Sequence, residues 1–387
     1  MVDKNKKKQL IIYISAVVIS IIYIFLGNRI ASTNTPELDG GGNMGTIKAK
    51  VIKVIDRQED VEGYGIAERV KSVEIEFKAV ALSGKNKGKE LLCIQTIGDV
   101  YENKLKEVEA GDKILLYPNT DDESSYEWFL GDYVRFDAII LLGVIFFITI
   151  IVFGRKKGLN TIVSLVFTCL AVFMVFIPSI ISGKNIYFWS ILTCIYITVM
   201  TLIIVNGANK KSLAAGAGCC SGVLIAGIIT LVMDKFLKLT GFLNDETGRL
   251  LYINEDNPIN LRALIFAAII IGAVGAIMDV AMSISSALQE ISETGDSITQ
   301  KQLIKSGFTI GRDIMGTMAN TLVLAYIGSS LSVVVLFAAY SNSTLDLMNM
   351  EMIIVEILQA IAGSLGILFT IPLTTIVCSV LYKGEKQ

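Results

Sequence analysis

The chain has 387 residues, of which 53% are hydrophobic and only 18% charged, with a mean hydropathy of +0.61. Soluble domains carry about 25% charged residues because their surface faces water, so this composition excludes an ordinary soluble globule. The formal charge of -2 argues against nucleic acid as a partner, and the absence of histidine rules out a Ser-His-Asp triad, a histidine proton relay and any His-ligated metal.

Taken in chain order, residues 1–9 form a short basic N-terminus containing Lys4, Lys6, Lys7 and Lys8, followed by a first apolar run over 10–27. A cleaved signal peptide is one reading of it. The stretch is long and its cleavage site poor, so an uncleaved signal anchor is preferred. Residues 28–134 differ in kind. TNTPELDGGGN reads as a tether, and β-branched segments at 46–55, 70–82, 89–97 and 112–117 are separated by turn signals such as Ser83-Gly84-Lys85-Asn86 and Gly111-Asp112. These predict a small extracytoplasmic β-rich domain, a barrel or sandwich. It is either a docking or gating module or a folded spacer. Its lone Cys93 offers it no internal disulfide.

Residues 135–382 hold seven further apolar runs, at 136–153, 159–181, 186–205, 213–233, 261–287, 314–337 and 353–381. Each is long enough to cross a hydrocarbon core about 30 Å thick, where the backbone must satisfy itself as helix. The predicted fold is therefore a polytopic α-helical membrane protein of about eight transmembrane helices. The last run contains Gln359, Gly363, Gly366 and Pro372 and is expected to be tilted, kinked or broken. The basic groups Arg155-Lys156-Lys157, Lys210-Lys211, Lys301, Lys305 and Arg312, with Lys383 and Lys386 in the tail 383–387, alternate with loops at 182–185, which has only Lys184, at 234–260, where Asp245, Glu246, Glu255 and Asp256 stand against Lys235, Lys238 and Arg249, and at 338–352, which has no Lys or Arg. By the positive-inside rule both termini are cytoplasmic.

Small residues recur in SLAAGAGCCSGVLIAG, where Gly218 and Gly222 make a small-xxx-small step, and at Gly272/Gly275 and Gly363/Gly366. Close helix packing is the plain reading; hinges or a substrate path is the alternative.

The functional signal lies in residues 272–291, GAVGAIMDVAMSISSALQEI, where Asp279, Ser283, Ser286 and Glu290 fall on one helix side at 100° per residue. A carboxylate at membrane depth costs about 2.5–3.5 kcal/mol even on insertion scales, so it faces a partner, water or the bundle interior. The following run begins GRDIMGTMANT. It places Asp313, Thr317 and Asn320 on one face, with Arg312 and Thr321 at its margins. If the two helices are neighbours, Asp279 is level with Thr317 or Asn320. One reading is a protonatable or ion-binding site coupled to the ion gradient; the other is a hydrogen-bond network that glues two helices. Between the blocks, residues 292–308 read as a cytoplasmic connector whose helical part from Thr299 would lie on the inner membrane surface.

These two blocks, 272–291 and 311–331, together with the connector, resemble the YibE/F-like family of bacterial membrane proteins. The resemblance runs from the first helix to the C-terminus and implies a permease of the bacterial cytoplasmic membrane, without naming a substrate. A more distant likeness to SecD/SecF-type RND permeases rests on the order of anchor, external domain and bundle, and on Asp279 followed by Arg312, Thr317 and Thr321. The chain departs from that pattern in having Gln289-Glu290 after the acidic helix and seven rather than five helices after the external domain.

The expected function is a membrane permease coupled to the proton or ion gradient through Asp279. The alternative is a non-transporting protein that assists export or membrane assembly through its external domain. No enzymatic activity, metal or cofactor is expected, since no catalytic constellation and no GxxxxGK[ST] loop is present. The expected partners are the lipid bilayer, a substrate and other membrane or extracytoplasmic proteins.

Overall fold

A computed structural model describes residues 2–33, 35, 45–63, 69–98, 106–119, 127–254, 257–294, 298–340 and 343–382. The predicted tether over 33–43 and the basic tail fall almost wholly outside the described residues. The chain divides into two compact units, Leu38–Thr149 and, together, Met1–Glu37 and Ile150–Gln387.

The smaller unit is a closed five-stranded barrel. Its strands are β1 Ile47–Gly63, β2 Arg69–Ala81, β3 Glu90–Gly98, β4 Lys113–Pro118 and β5 Trp128–Tyr133, in the order β1-β2-β3-β5-β4. All pairings are antiparallel except β3 with β5, where Cys93 pairs with Trp128. Alternation of side chains across each strand sends Val73, Ile75, Phe77 and Ala79 of β2, Leu91, Cys93 and Ile97 of β3 and Ile114 and Leu116 of β4 into one core. Gly111, at φ +99°, turns the chain into β4, and its N–H donates to Val51 O over 2.9 Å. Four strands match the expected segments. The fifth, WFLGDY, is short and carries a Gly-Asp pair that reads as a turn, which hid it.

The larger unit is helical. Its elements are α1 Val2–Ala31, the greater part of α2 Phe136–Leu170 with a π-helical turn Ala171–Phe176 running on into α3 Ile177–Ile181, α4 Ile186–Asn206, α5 Lys210–Leu237, the short α6 Asp245–Arg249, α7 Leu261–Thr294, α8 Gln300–Ser329, α9 Leu331–Tyr340, α10 Thr344–Leu347 and α11 Glu351–Tyr382. Side-chain caps set several starts: Asn185 accepts from Phe188 N, Asn209 from Ser212 N, and Thr299 and Gln302 form a capping box.

Among the described residues, six helical stretches are long and apolar enough to cross a membrane, and seven if the α8–α9 pair, bent by 61°, counts as one span. This differs from the expected eight because Phe136–Ile181 forms one 46-residue stretch. That stretch is not straight. Arg155 takes a left-handed φ of 49°, and Ile150 O occupies the place a Cβ on Gly158 would need. In a straight helix these two residues would stand about 12 Å apart, so the chain doubles back there.

Two further expectations are corrected. The segment from Thr299 is not a separate surface helix; it is the first part of α8, which continues unbroken to Ser329. The last run is not broken either, because α11 passes through Pro372 as one 32-residue helix. The break falls instead at Ser330, between α8 and α9.

The centre of the unit is α11, packed on α5, α7 and α8. Gly218 and Gly222 of α5 face Thr374 and Thr370 of α11, with no room for a side chain at either glycine. Gly307 and Gly311 let α8 meet Thr375 and Ile371 in the same way. These glycines serve close packing. Against α1, Tyr23 stacks on Tyr196 of α4 with ring centroids 3.9 Å apart.

Candidate functional site: the outer face of α7 and α8

Helix α7 is buried along most of its circumference, with Ile269, Ile270, Ala273, Ile277, Val280, Ala281, Ile284 and Leu288 all fully covered. Its exposed stripe runs Ala268, Gly272, Gly275, Asp279, Ser283 and Glu290, with Ser286 half-buried between the last two. No exposed residue of α7 is a large hydrophobe, whereas α1 and α2 expose Phe25, Ile139, Leu141 and Phe153. The outward faces of the helices are therefore of two chemical kinds.

Helix α8 continues the polar kind over 312–321 and exposes Phe308, Leu324 and Ile327 on either side of that stretch. Arg312, Asp313, Gly316, Thr317, Asn320 and Thr321 are all exposed. The helices are antiparallel neighbours: the Tyr326 hydroxyl lies 2.6 Å from the position of a Cβ on Gly272. Seven residues along α7 from Gly272, and seven back along α8 from Tyr326, bring Asp279 level with Ala319 and beside Asn320.

No hydrogen bond or ion pair joins the two stripes among the described residues. The Thr317 hydroxyl donates to Ile314 O over 2.9 Å and the Thr321 hydroxyl to Thr317 O over 2.8 Å, both within α8. The Glu290 carbonyl accepts from Thr294 Oγ1. The Arg312 side chain edges a groove of about 390 Å³ between α8 and α11, lined also by Phe308, Met315, Leu365, Phe369 and Pro372. The structure thus gathers Asp279, Ser283, Ser286, Glu290, Arg312, Asp313, Thr317 and Asn320 on one adjoining surface but does not bond them to one another.

Sequence reasoning overlooked a polar lock on the far side of α7. Ser285 is fully buried; its hydroxyl lies 2.9 Å from Lys211 O and 2.7 Å from the Tyr382 hydroxyl. The available signal was its place one residue off the exposed stripe, which turns it toward α5 and α11.

The profile of the YibE/F-like proteins matches residues 142–384. The chain belongs to the YibE/F-like family. The match spans the helical part from within α2 to the end of α11 and takes in both blocks of the polar face; it does not extend over α1 or the barrel, where the sequence resemblance had been expected to reach. A search of curated proteins and a search of solved structures each find no match. Family membership and the apolar helices together fit a membrane protein.

Proposed function

We propose that this YibE/F-like protein is a multi-pass permease of a bacterial cytoplasmic membrane, coupled to the proton or ion gradient through Asp279. The apolar helices support the multi-pass reading: the six stretches become eight if Phe136–Ile181 is divided at Arg155 and the α8–α9 pair is counted as one span. With α1 kept as an uncleaved anchor, the basic groups at 155–157, 210–211 and 301–312 fall on the side of the N-terminus, and the barrel on the opposite side.

One observation carries the transport reading: an outward stripe of small and polar residues along α7 and over 312–321 of α8, in a unit whose other outward helix faces are apolar. A bilayer penalises Asp279 and Asn320 on a lipid-facing surface. A water-containing path along α7 and α8 removes that penalty and leaves Asp279 able to bind and release a proton or cation. Thr317, Ser283 and Ser286 supply hydroxyls along it, and Arg312, Asp313 and Glu290 stand at its cytoplasmic end. No chemical conversion of substrate and no nucleic-acid contact is part of this reading; the partners are the bilayer, a solute and other copies or proteins in the membrane.

The test is reactivity of Ser283→Cys and Asn320→Cys toward a membrane-impermeant thiol reagent in sealed vesicles. Leu224→Cys, on an exposed apolar helix face, is the control. The path predicts modification at both polar positions and none at 224. If both polar positions stay unmodified, the face is dry and the export-assembly reading replaces transport.

A further inference from the structure

We propose that a second copy of this chain covers the α7–α8 face, so that the polar path is completed between two subunits. The inference rests on the reading above only in taking α7 and α8 as membrane spans; it does not need transport to occur.

Three features of the face point to a like partner. First, it is unfinished. Asp279, Ser283, Asn320 and Thr317 are exposed at mid-helix, uncovered by any described residue of the chain. Second, it is shaped for close approach. A Cβ on Gly275 or on Gly316 would meet nothing within 4 Å, unlike Gly218, Gly222, Gly307 and Gly311, which are filled by α11. Small residues that lie open on a spanning helix let a second backbone come near.

Third, its charges are self-complementary. Arg312, with Lys305 two turns before it, carries positive charge on this face beside Asp279, Asp313 and Glu290, and no ion pair joins Arg312 to these carboxylates among the described residues. Two copies inserted with the same orientation are related by a two-fold axis along the membrane normal, which keeps every residue at its own depth and gives an isologous contact. Arg312 of one copy then meets Asp313 of the second copy at equal depth. Glu290 of the second copy lies four residues, about 6 Å, further along the helix axis, within reach of a long guanidinium side chain. Asp279 likewise meets the carboxamide of Asn320 from the second copy. A different protein would need its own matching set at these depths; a second copy carries it by symmetry.

The experiment uses the full chain in native membranes and in lipid nanodiscs. Gly316→Cys and Gly275→Cys, treated with a mild oxidant, are expected to give a disulfide-linked species of twice 42.1 kDa. The wild type, with its own six cysteines, and Leu224→Cys are expected to give none. Wild-type nanodiscs are expected to hold two copies by mass measurement, which covers the case of a glycine variant that fails to fold. A single copy per nanodisc overturns the proposal, as do two copies without linkage at either glycine, or linkage to a chain of another mass. Thiol-reagent access at Ser283→Cys without any linkage would retain the permease and remove the dimer; linkage without access would do the reverse.

Discussion

The Tyr382 hydroxyl lies 2.7 Å from the Ser285 hydroxyl and also donates to Ser285 O over 3.2 Å, fastening the last turn of α11 to the middle of α7. Ser285 in turn bonds Lys211 O at the start of α5, so three helices meet at one buried hydroxyl. Tyr382→Phe removes one partner and leaves Ser285 bonded to Lys211 O; the expected cost is about 1 kcal/mol. Ser285→Val removes the hydroxyl that bonds both Lys211 O and Tyr382, while the main-chain carbonyl at 285 still accepts from Tyr382, and should cost about 1–3 kcal/mol. Thermal unfolding of the detergent-solubilised chain measures both, and the order of the two losses is the prediction.

The contact of α5 with α11 admits no added carbon. Gly222→Val would drive its side chain into Thr370 and the Gly366 carbonyl, and the expected destabilisation is about 1–3 kcal/mol or more. Gly222→Ala is milder and collides first with the Thr370 hydroxyl. Combining it with Thr370→Ala should recover part of the loss, because neighbouring sites couple. A strictly additive double variant, measured by the same melting assay, would show that the two residues do not meet.

In the barrel, Cys93 is fully buried, and burial above all pushes its thiol up to about 12 from 9.0, with the Glu127 charge adding in the same direction. The neutral thiol is the form the fold favours. Its contribution is complete below pH 9, where the unfolded thiol is also neutral. It is lost as pH rises from about 9 toward 12, where the unfolded chain ionises and the barrel does not. Maleimide at pH 8 should therefore leave Cys93 unmodified in the native chain and modify it after Phe77→Ala, a core truncation worth about 3–5 kcal/mol. Mass spectrometry of the Cys93 peptide reads the difference.

At the opposite end of α11 from Tyr382, the Glu351 carboxylate accepts from Thr240 N at 2.7 Å, Gly241 N at 2.6 Å and the Thr240 hydroxyl at 2.8 Å. It holds the loop that leaves α5. Glu351→Gln keeps the shape and removes the charge, so each bond weakens; a loss of about 1 kcal/mol is expected. Faster hydrogen exchange at Thr240 and Gly241, with the rest of α5 unchanged, would mark the effect as local.

How far the sequence could be read follows from the kind of signal each part carries. Apolar runs and turn residues are local, so most of the helices and four barrel strands were legible in the amino-acid order, and the Gly218/Gly222 step correctly implied tight packing. The fifth strand was not legible, because WFLGDY closes the barrel through a parallel pairing with β3 that depends on residues far away in the chain. Pro372 suggested a break in α11 that packing on α5, α7 and α8 overrides, while the actual bend, at Ser330, has no proline to announce it. The stripe of Asp279, Ser283 and Glu290 could be drawn from a 100° period. That it faces outward, rather than into the bundle beside Thr317, depends on the way α11 fills the other side of α7, which no local pattern encodes.

The central claim is that the α7–α8 face carries gradient-coupled transport through Asp279. The direct measurement is decay of an imposed pH gradient across vesicles holding the purified chain, followed with a trapped pH-sensitive dye while a panel of small solutes is added in turn. The account predicts that at least one solute speeds the decay with the wild-type chain, and that Asp279→Asn, inserted at the same level, matches empty vesicles. Equal decay with the wild type, Asp279→Asn and empty vesicles across the panel, or full wild-type decay with Asp279→Asn, would contradict it.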